Sequence, residues 1–148
     1  MRANDVAEVI RALGDAGVEV WVEGGWGVDA LVGEESRPHK DVDLLVGPDD
    51  VEALVSWLDA QGFRLVVGEP AAGLWRDDSG RGIDLRATDD VDPGWLSGTG
   101  TIGGLAVRCL TPWAQMALHA GYEPSANDRH DVELLHRTFG VPLPVEYR

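Results

Sequence analysis

One cysteine, Cys109, stands in 148 residues. It leaves no internal disulfide and no cysteine-rich zinc site, and it suits a reducing compartment, so a cytoplasmic protein is expected. The four histidines, His39, His119, His130 and His136, lack zinc-ligand spacing, and no Gly-Lys-Ser/Thr occurs to form a P-loop. No apolar run approaches the roughly 20 residues that a membrane-spanning helix needs. Met1-Arg2-Ala3-Asn4-Asp5 has no apolar signal core, so neither membrane association nor export is expected. Lysine is as scarce as cysteine: Lys40 is alone beside eleven arginines, which reads as coding bias and carries no function. Positive charge is short throughout, with 12 Lys and Arg against 26 Asp and Glu and a net charge of −14. Such a chain repels polyanions, so no nucleic-acid partner is expected, and it attracts a cationic small molecule. The same acidity also serves solubility.

What is present is an ordinary globular composition, 44% hydrophobic and 26% charged, long enough for one domain over residues 1–148 with its own core. Val6, Val9, Ile10 and Leu13 repeat at helical spacing over Asp5–Ala16. Val18–Val22 reads as a strand, Trp26–Val32 as a helix, Glu34–Lys40 as a polar loop and Asp41–Val46 as a second strand. Pro48 opens a helix over Asp49–Gln61. Phe63–Val67, Gly73–Arg76 and Gly82–Ala87 are predicted strands, the last two joined by a hairpin turn at Asp77-Asp78-Ser79-Gly80. Asp89–Gly104, rich in Gly, Pro and Thr, reads as a loop, Leu105–Cys109 as a final strand, and Pro112–Ala120 and Asn127–Phe139 as two closing helices. The mixture predicts an α+β fold: a mixed β-sheet flanked by helices, with a short C-terminal helical pair.

Two stretches carry chemistry. In Val22-Glu23-Gly24-Gly25-Trp26-Gly27-Val28-Asp29 a glycine pair lies between a strand and a helix. Its backbone can approach a phosphate closely, and the helix start offers unpaired N–H groups. In Arg37-Pro38-His39-Lys40-Asp41-Val42-Asp43-Leu44 two carboxylates alternate with apolar residues, so Asp41 and Asp43 project from one strand face. Carboxylates crowded this way need a cation between them, and Mg²⁺, which takes one or two carboxylates plus waters and phosphate oxygens, fits. Together these features describe a nucleoside-triphosphate site. Asp84, flanked by Ile83 and Leu85, completes a three-carboxylate cluster if its strand lies beside Asp41–Val46.

Gly24-Gly25-Trp26-Gly27-Val28-Asp29 followed by Arg37-Pro38-His39-Lys40-Asp41-Val42-Asp43 resembles the antibiotic-inactivating nucleotidyltransferases, in particular the lincosamide and 2''-aminoglycoside groups. The resemblance continues at Arg81-Gly82-Ile83-Asp84-Leu85, at Cys109-Leu110-Thr111-Pro112 and from Gly121-Tyr122-Glu123 to His130-Asp131-Val132, and so covers nearly the whole chain. It implies the nucleotidyltransferase fold and transfer of a nucleoside monophosphate, AMP from ATP in the first instance, to a hydroxyl of a small molecule such as an aminoglycoside or lincosamide. Two Mg²⁺ ions would serve the displacement. By the resemblance Asp41, Asp43 and Asp84 are the catalytic and metal-binding carboxylates, Asp84 either as a metal ligand or as the base. Gly24, Gly25, Arg37 and His39 are on the nucleotide side. The helices over 112–139 are on the acceptor side or at a dimer contact, with His119, Tyr122 and Glu123 as acceptor residues. A chain this short leaves room for a homodimer in which the partner completes the pocket.

Each assignment has a plainer alternative. Arg37 can pair with Glu34 or Glu35 on the surface, His39 can be a structural hydrogen-bonding residue, and Lys40 can simply be exposed. Trp26 can be a buried anchor for its helix rather than a base-stacking platform, and Asp29 a charge complementing a helix N-terminus. His130-Asp131 can be a helix-surface pair, or make the acceptor-side contacts that the resemblance implies. Gly98-Thr99-Gly100-Thr101-Ile102-Gly103 matches a dinucleotide-binding pattern but lacks the preceding strand and following helix, and is rejected. Two other functions stay open at this stage: a nucleotidyltransferase acting on tRNA or protein in a toxin–antitoxin pair, and a non-catalytic nucleotide- or partner-binding module on the same fold.

Overall fold

Alternation assigns the sheet faces. In the strand β2 (Asp41–Val46), Val42, Leu44 and Val46 are fully buried and face one way, while Asp41 and Asp43 face the other. In β1 (Val20–Glu23), Val20 and Val22 are buried and Trp21 and Glu23 are half-buried. The computed structural model describes the whole chain, Met1–Arg148, and adds β3 (Arg64–Glu69), β4 (Ala72–Arg76), β5 (Gly82–Ala87), β6 (Gly98–Ile102) and β7 (Leu105–Cys109). The seven strands form one sheet in the order β3-β4-β5-β2-β1-β7-β6. β1 runs parallel to β7 and β2 parallel to β5; the other neighbours are antiparallel.

The helices are α1 (Ala3–Asp15), α2 (Gly24–Val32), α3 (Val51–Ala60), α4 (Pro112–Leu118) and α5 (Ala126–Phe139). Val6, Val9 and Leu13 of α1, Trp26 and Ala30 of α2, and Leu54 and Leu58 of α3 pack on the Val22, Val42, Leu44, Ile83 and Leu85 face. A smaller cluster joins Val28 of α2 to Met116 of α4 and to Val132 and Leu135 of α5. On the other face, Leu45 is sealed by Leu110 and Ala114, so the carboxylate end of that face remains uncovered. The expected α+β architecture and C-terminal helical pair are present, and no helix is long and apolar enough to cross a membrane.

The segment 89–104 departs from expectation. It holds a 3₁₀ turn over Pro93–Ser97 and the edge strand β6, which pairs with β7 from Gly98↔Cys109 to Ile102↔Leu105. Glycine weakens a strand signal, but here it is what packing requires. A Cβ on Gly100 would collide with the Ala30 carbonyl, so the backbone of α2 lies directly on β6. Gly100→Ala is therefore expected to destabilise the fold by about 1–3 kcal/mol, read as a lower urea midpoint with an unchanged slope.

Candidate active site

The sheet register places the acidic residues. Glu23 lies opposite Asp43 across β1 and β2, and Asp43 opposite Asp84 across β2 and β5. Three neighbouring strands thus present a row of carboxylates on one face, where directly opposed like charges repel. Asp43 responds most: burial first, then Asp84, Glu23 and Asp41, push its carboxyl up to about 7, with Arg37 opposing. Asp84, though exposed on its strand, is also raised, by partial loss of water and then by Asp41. Glu23 is relieved by Arg86, 2.6 Å away. Asp41, beside Gly82 in register, lies 3.1 Å from the Arg76 guanidinium, yet its buried Oδ1 accepts no well-aligned hydrogen bond.

Asp41, Asp43 and Asp84 are brought to adjacent strands as expected, but the three-carboxylate cluster is not closed. No three Asp, Glu, His or Cys side chains converge to hold an ion among themselves. The reason is local: Asp41 leans toward Arg76, which leaves Asp43 and Asp84 as the adjacent pair.

Gly24 and Gly25 form the lip above this row. Gly24 has φ +64, in the left-handed region that favours glycine, and a Cβ there would strike the Asp43 carboxylate. A Cβ on Gly25 would strike Arg37 and His39. The glycine pair therefore lets two walls close on each other. Gln115, fully buried, fixes the lip from below by donating from Nε2 to the Gly24 carbonyl at 3.3 Å.

Arg37 is not a surface ion pair with Glu34 or Glu35. Its Nε and Nη2 grip both oxygens of Asp131 on α5, at 2.9 and 2.8 Å. Asp131 is only 2% exposed, so His130-Asp131 is not a helix-surface pair either. His130 Nε2 meets the Ser36 hydroxyl at 2.9 Å. His39 is buried, with Nε2 2.6 Å from Asp29 Oδ2 and its ring 4.4 Å from that of Trp26. Asp29, 1% exposed, also accepts from the Ser36 backbone N–H and hydroxyl. It lines neither cavity beside the carboxylates and instead ties residues 36–39 to α2. Asp29→Ala would strand these donors, with an expected loss of about 2–4 kcal/mol in urea denaturation.

Two cavities meet at Gly25, Arg37 and Asp43. The first, about 450 Å³, is lined by these residues with Pro38, His39, Lys40, Asp41 and Asn127, and has no apolar wall. The second, about 370 Å³, includes Glu23, Arg86, Gln115, Leu118, His119, Tyr122, Asp128 and Asp131. His119 and Tyr122, read as acceptor residues, line the second cavity, while Glu123, read with them, is exposed and lines neither cavity. Another hollow, about 360 Å³ beside Ile10, Val18 and Val107, is remote from the carboxylates. Sequence reading passed over Glu23, Arg86 and Asp128 as site residues. Glu23 and Arg86 sit at outward positions of strands that flank the aspartates, a signal available only once the strand order is known. Asp128 was hidden in a Ser125-x-x-Asp128 capping box.

Comparison with known proteins gives these features a context. The lincosamide resistance protein of Staphylococcus haemolyticus is 23% identical over 157 residues, covering 91% of this chain and 98% of that protein. A 2''-aminoglycoside nucleotidyltransferase of Klebsiella pneumoniae is 28% identical over 90 residues, covering 50% of each chain. Among solved structures, the lincomycin-bound lincosamide antibiotic adenylyltransferase LnuA superposes with a TM-score of 0.77 at 21% identity, covering 89% of this chain and 94% of that one. ANT(2'')-Ia in complex with adenylyl-2''-tobramycin superposes with a TM-score of 0.80 at 18% identity, covering 93% and 89%. The shared architecture is the nucleotidyltransferase fold. The family model described as aminoglycoside-2''-adenylyltransferase matches residues 5–89 and 74–135, across the glycine lip, the carboxylate row and both C-terminal helices, and the chain belongs to that family.

Proposed function

We propose that this protein transfers AMP from ATP to a hydroxyl of a small, amine-bearing antibiotic, a lincosamide or an aminoglycoside. The observation that carries the reading is Asp43 beneath the Gly24–Gly25 lip, where two cavities of different character meet, with Asp84 opposite it on the neighbouring strand β5. The first cavity, with Arg37, His39, Lys40 and the glycine backbone, suits a triphosphate. The second, with His119, Tyr122 and Asp128, suits the acceptor.

In the proposed reaction the acceptor oxygen bonds to the α-phosphorus, the bond from that phosphorus to the bridging oxygen breaks, and pyrophosphate leaves. The hydroxyl proton passes to Asp84, whose raised proton affinity makes it a better acceptor than an ordinary surface carboxylate. Gly24 and Gly25 let the phosphates approach the carboxylates, and Arg37 meets phosphate oxygens at the boundary of the two cavities. Asp43, with Asp41 once it leaves Arg76, would hold Mg²⁺, whose positive charge would offset the carboxylate and phosphate charges during displacement, and Asp84 would stay free to take the proton. The residues fit it: Asp43 is strained by uncompensated like charge, and Mg²⁺ needs only one or two protein carboxylates when phosphate oxygens complete its shell.

The test is pyrophosphate release from ATP and Mg²⁺ across a panel of hydroxylated antibiotics. Release should depend on the acceptor. Asp84→Asn should lower kcat by about 10²–10⁴-fold, with ATP affinity changed only a few-fold. Release without any acceptor, or full activity in Asp84→Asn, would contradict the proposal.

A further inference from the structure

We infer that the second cavity selects hydroxylated acceptors carrying one amine, seated between Asp128 and His119, over acceptors carrying several. The inference rests on the transfer reading above, because it assigns this cavity to the acceptor. It follows from where each charge in the cavity wall is already spent.

Four carboxylates, Glu23, Asp43, Asp128 and Asp131, and two guanidiniums, Arg37 and Arg86, line the cavity. Asp131 is committed through both oxygens to Arg37, and Glu23 is held by Arg86 at 2.6 Å. Asp43 belongs to the reacting carboxylates. Asp128 alone remains to meet a ligand cation. Its position is fixed: Oδ2 accepts the Ser125 N–H at 2.8 Å and Oδ1 the Tyr122 hydroxyl at 3.1 Å. These bonds, working against burial, hold its carboxyl below the usual range, so it presents a negative charge.

His119 supplies the second half of the seat. Its Nδ1 lies 2.7 Å from the Gln115 carbonyl, which can only accept, so Nδ1 carries the proton. In the neutral ring Nε2 therefore offers a lone pair, and it stands 3.8 Å from Asp128 Oδ1. That gap is too long for a hydrogen bond between the two. One N–H of a ligand ammonium lodged in the gap could be shared between the two, so a tertiary ammonium with a single N–H is enough. Leu118 and the Tyr122 ring give an apolar flank for the carbon skeleton that bears the amine.

A polycationic acceptor fares worse in the same space. Its first amine can take the Asp128 seat, but each further amine must give up water where the remaining carboxylates are already paired with arginine. Arg86 is thus a specificity-determining residue, because it withdraws Glu23 from the acceptor.

The experiment is calorimetric titration with lincomycin, which has one amine, and tobramycin, which has several, with and without Mg²⁺ and a non-hydrolysable ATP analogue. Pyrophosphate release is followed in parallel with ATP. The wild type should bind lincomycin at least tenfold more tightly than tobramycin. Asp128→Asn should weaken lincomycin binding about tenfold. Because Asp128 also caps α5, its melting curve is checked, and Arg86→Gln provides an independent arm. By freeing Glu23 it should raise the tobramycin-to-lincomycin affinity ratio at least fivefold. Tighter binding of tobramycin by the wild type, an unchanged ratio in Arg86→Gln, or unchanged lincomycin binding in folded Asp128→Asn would each overturn the inference. The expected binding pattern without pyrophosphate release would uphold it and remove the transfer reading instead.

Discussion

Asparagine in place of Asp43 is expected to lower nucleotidyl transfer by at least about 10³-fold, roughly 4 kcal/mol in the barrier, while making the ligand-free protein more stable. The two effects share one cause. Burial and the neighbouring Asp84, Glu23 and Asp41 raise the Asp43 carboxyl to about 7. A carboxylate whose folded value is raised binds its proton more tightly folded than unfolded. The folded state therefore loses stability as pH rises from the ordinary carboxylate range through about 7, and the loss is complete above that value. At pH 8 the cost is on the order of 2–4 kcal/mol. Asparagine removes it, so the melting temperature in chelator should rise by several degrees at pH 8 and hardly change at pH 4. Equal melting temperatures at both pH values would show that Asp43 is not under the strain described.

The second large effect concerns Arg37→Ala. It would leave Asp131, 2% exposed, as an unpaired charge between α5 and the glycine lip. Removing one member of a buried ion pair costs about 3–5 kcal/mol, which a chemical-denaturation midpoint would register. Lysine should not restore the loss, since a single ammonium cannot reproduce the paired Nε and Nη2 contacts at 2.9 and 2.8 Å. Replacing both partners, as in Arg37→Met with Asp131→Leu, should recover most of the stability because no orphan charge remains. Nucleotide affinity should stay low in the double variant, which separates the contribution of Arg37 to folding from its proposed contact with phosphate. A double variant that bound ATP as well as the wild type would remove Arg37 from the nucleotide site.

Much of this arrangement could be read before any coordinates, for a physical reason. Strand alternation at Asp41–Val46 and Gly82–Ala87 and helical spacing at Val6–Leu13 are local signals, and the corresponding elements appear in the structure. The glycine pair announced a tight strand-to-helix turn, and Gly24 does adopt the left-handed conformation. What escaped was pairwise and distant. Gly98 and Gly100 weaken every local sign of a strand, and only distant neighbours explain them: the Cys109 and Leu110 carbonyls press on Gly98 and α2 presses on Gly100. Arg37 meets Asp131 across 94 residues, whereas Glu34 and Glu35 were the acids at hand in sequence. Asp41 was read with Asp43 as one metal-holding face, but Arg76, on a strand two places across the sheet, draws it aside.

The two cavities are built from different parts of the chain. The wall proposed for the nucleotide is chiefly one stretch, residues 37–43, while half of the other cavity's lining comes from α4, α5 and the turn between them. Selection can therefore act on one wall and spare the other. A lineage exposed to a new drug could alter Leu118, Tyr122 or Asp128, keep the carboxylate row intact, and so change its resistance spectrum by single steps. Asp131 is the exception. Because it holds Arg37, a change there would be felt on both sides, and it should be among the last positions to vary as resistance diversifies.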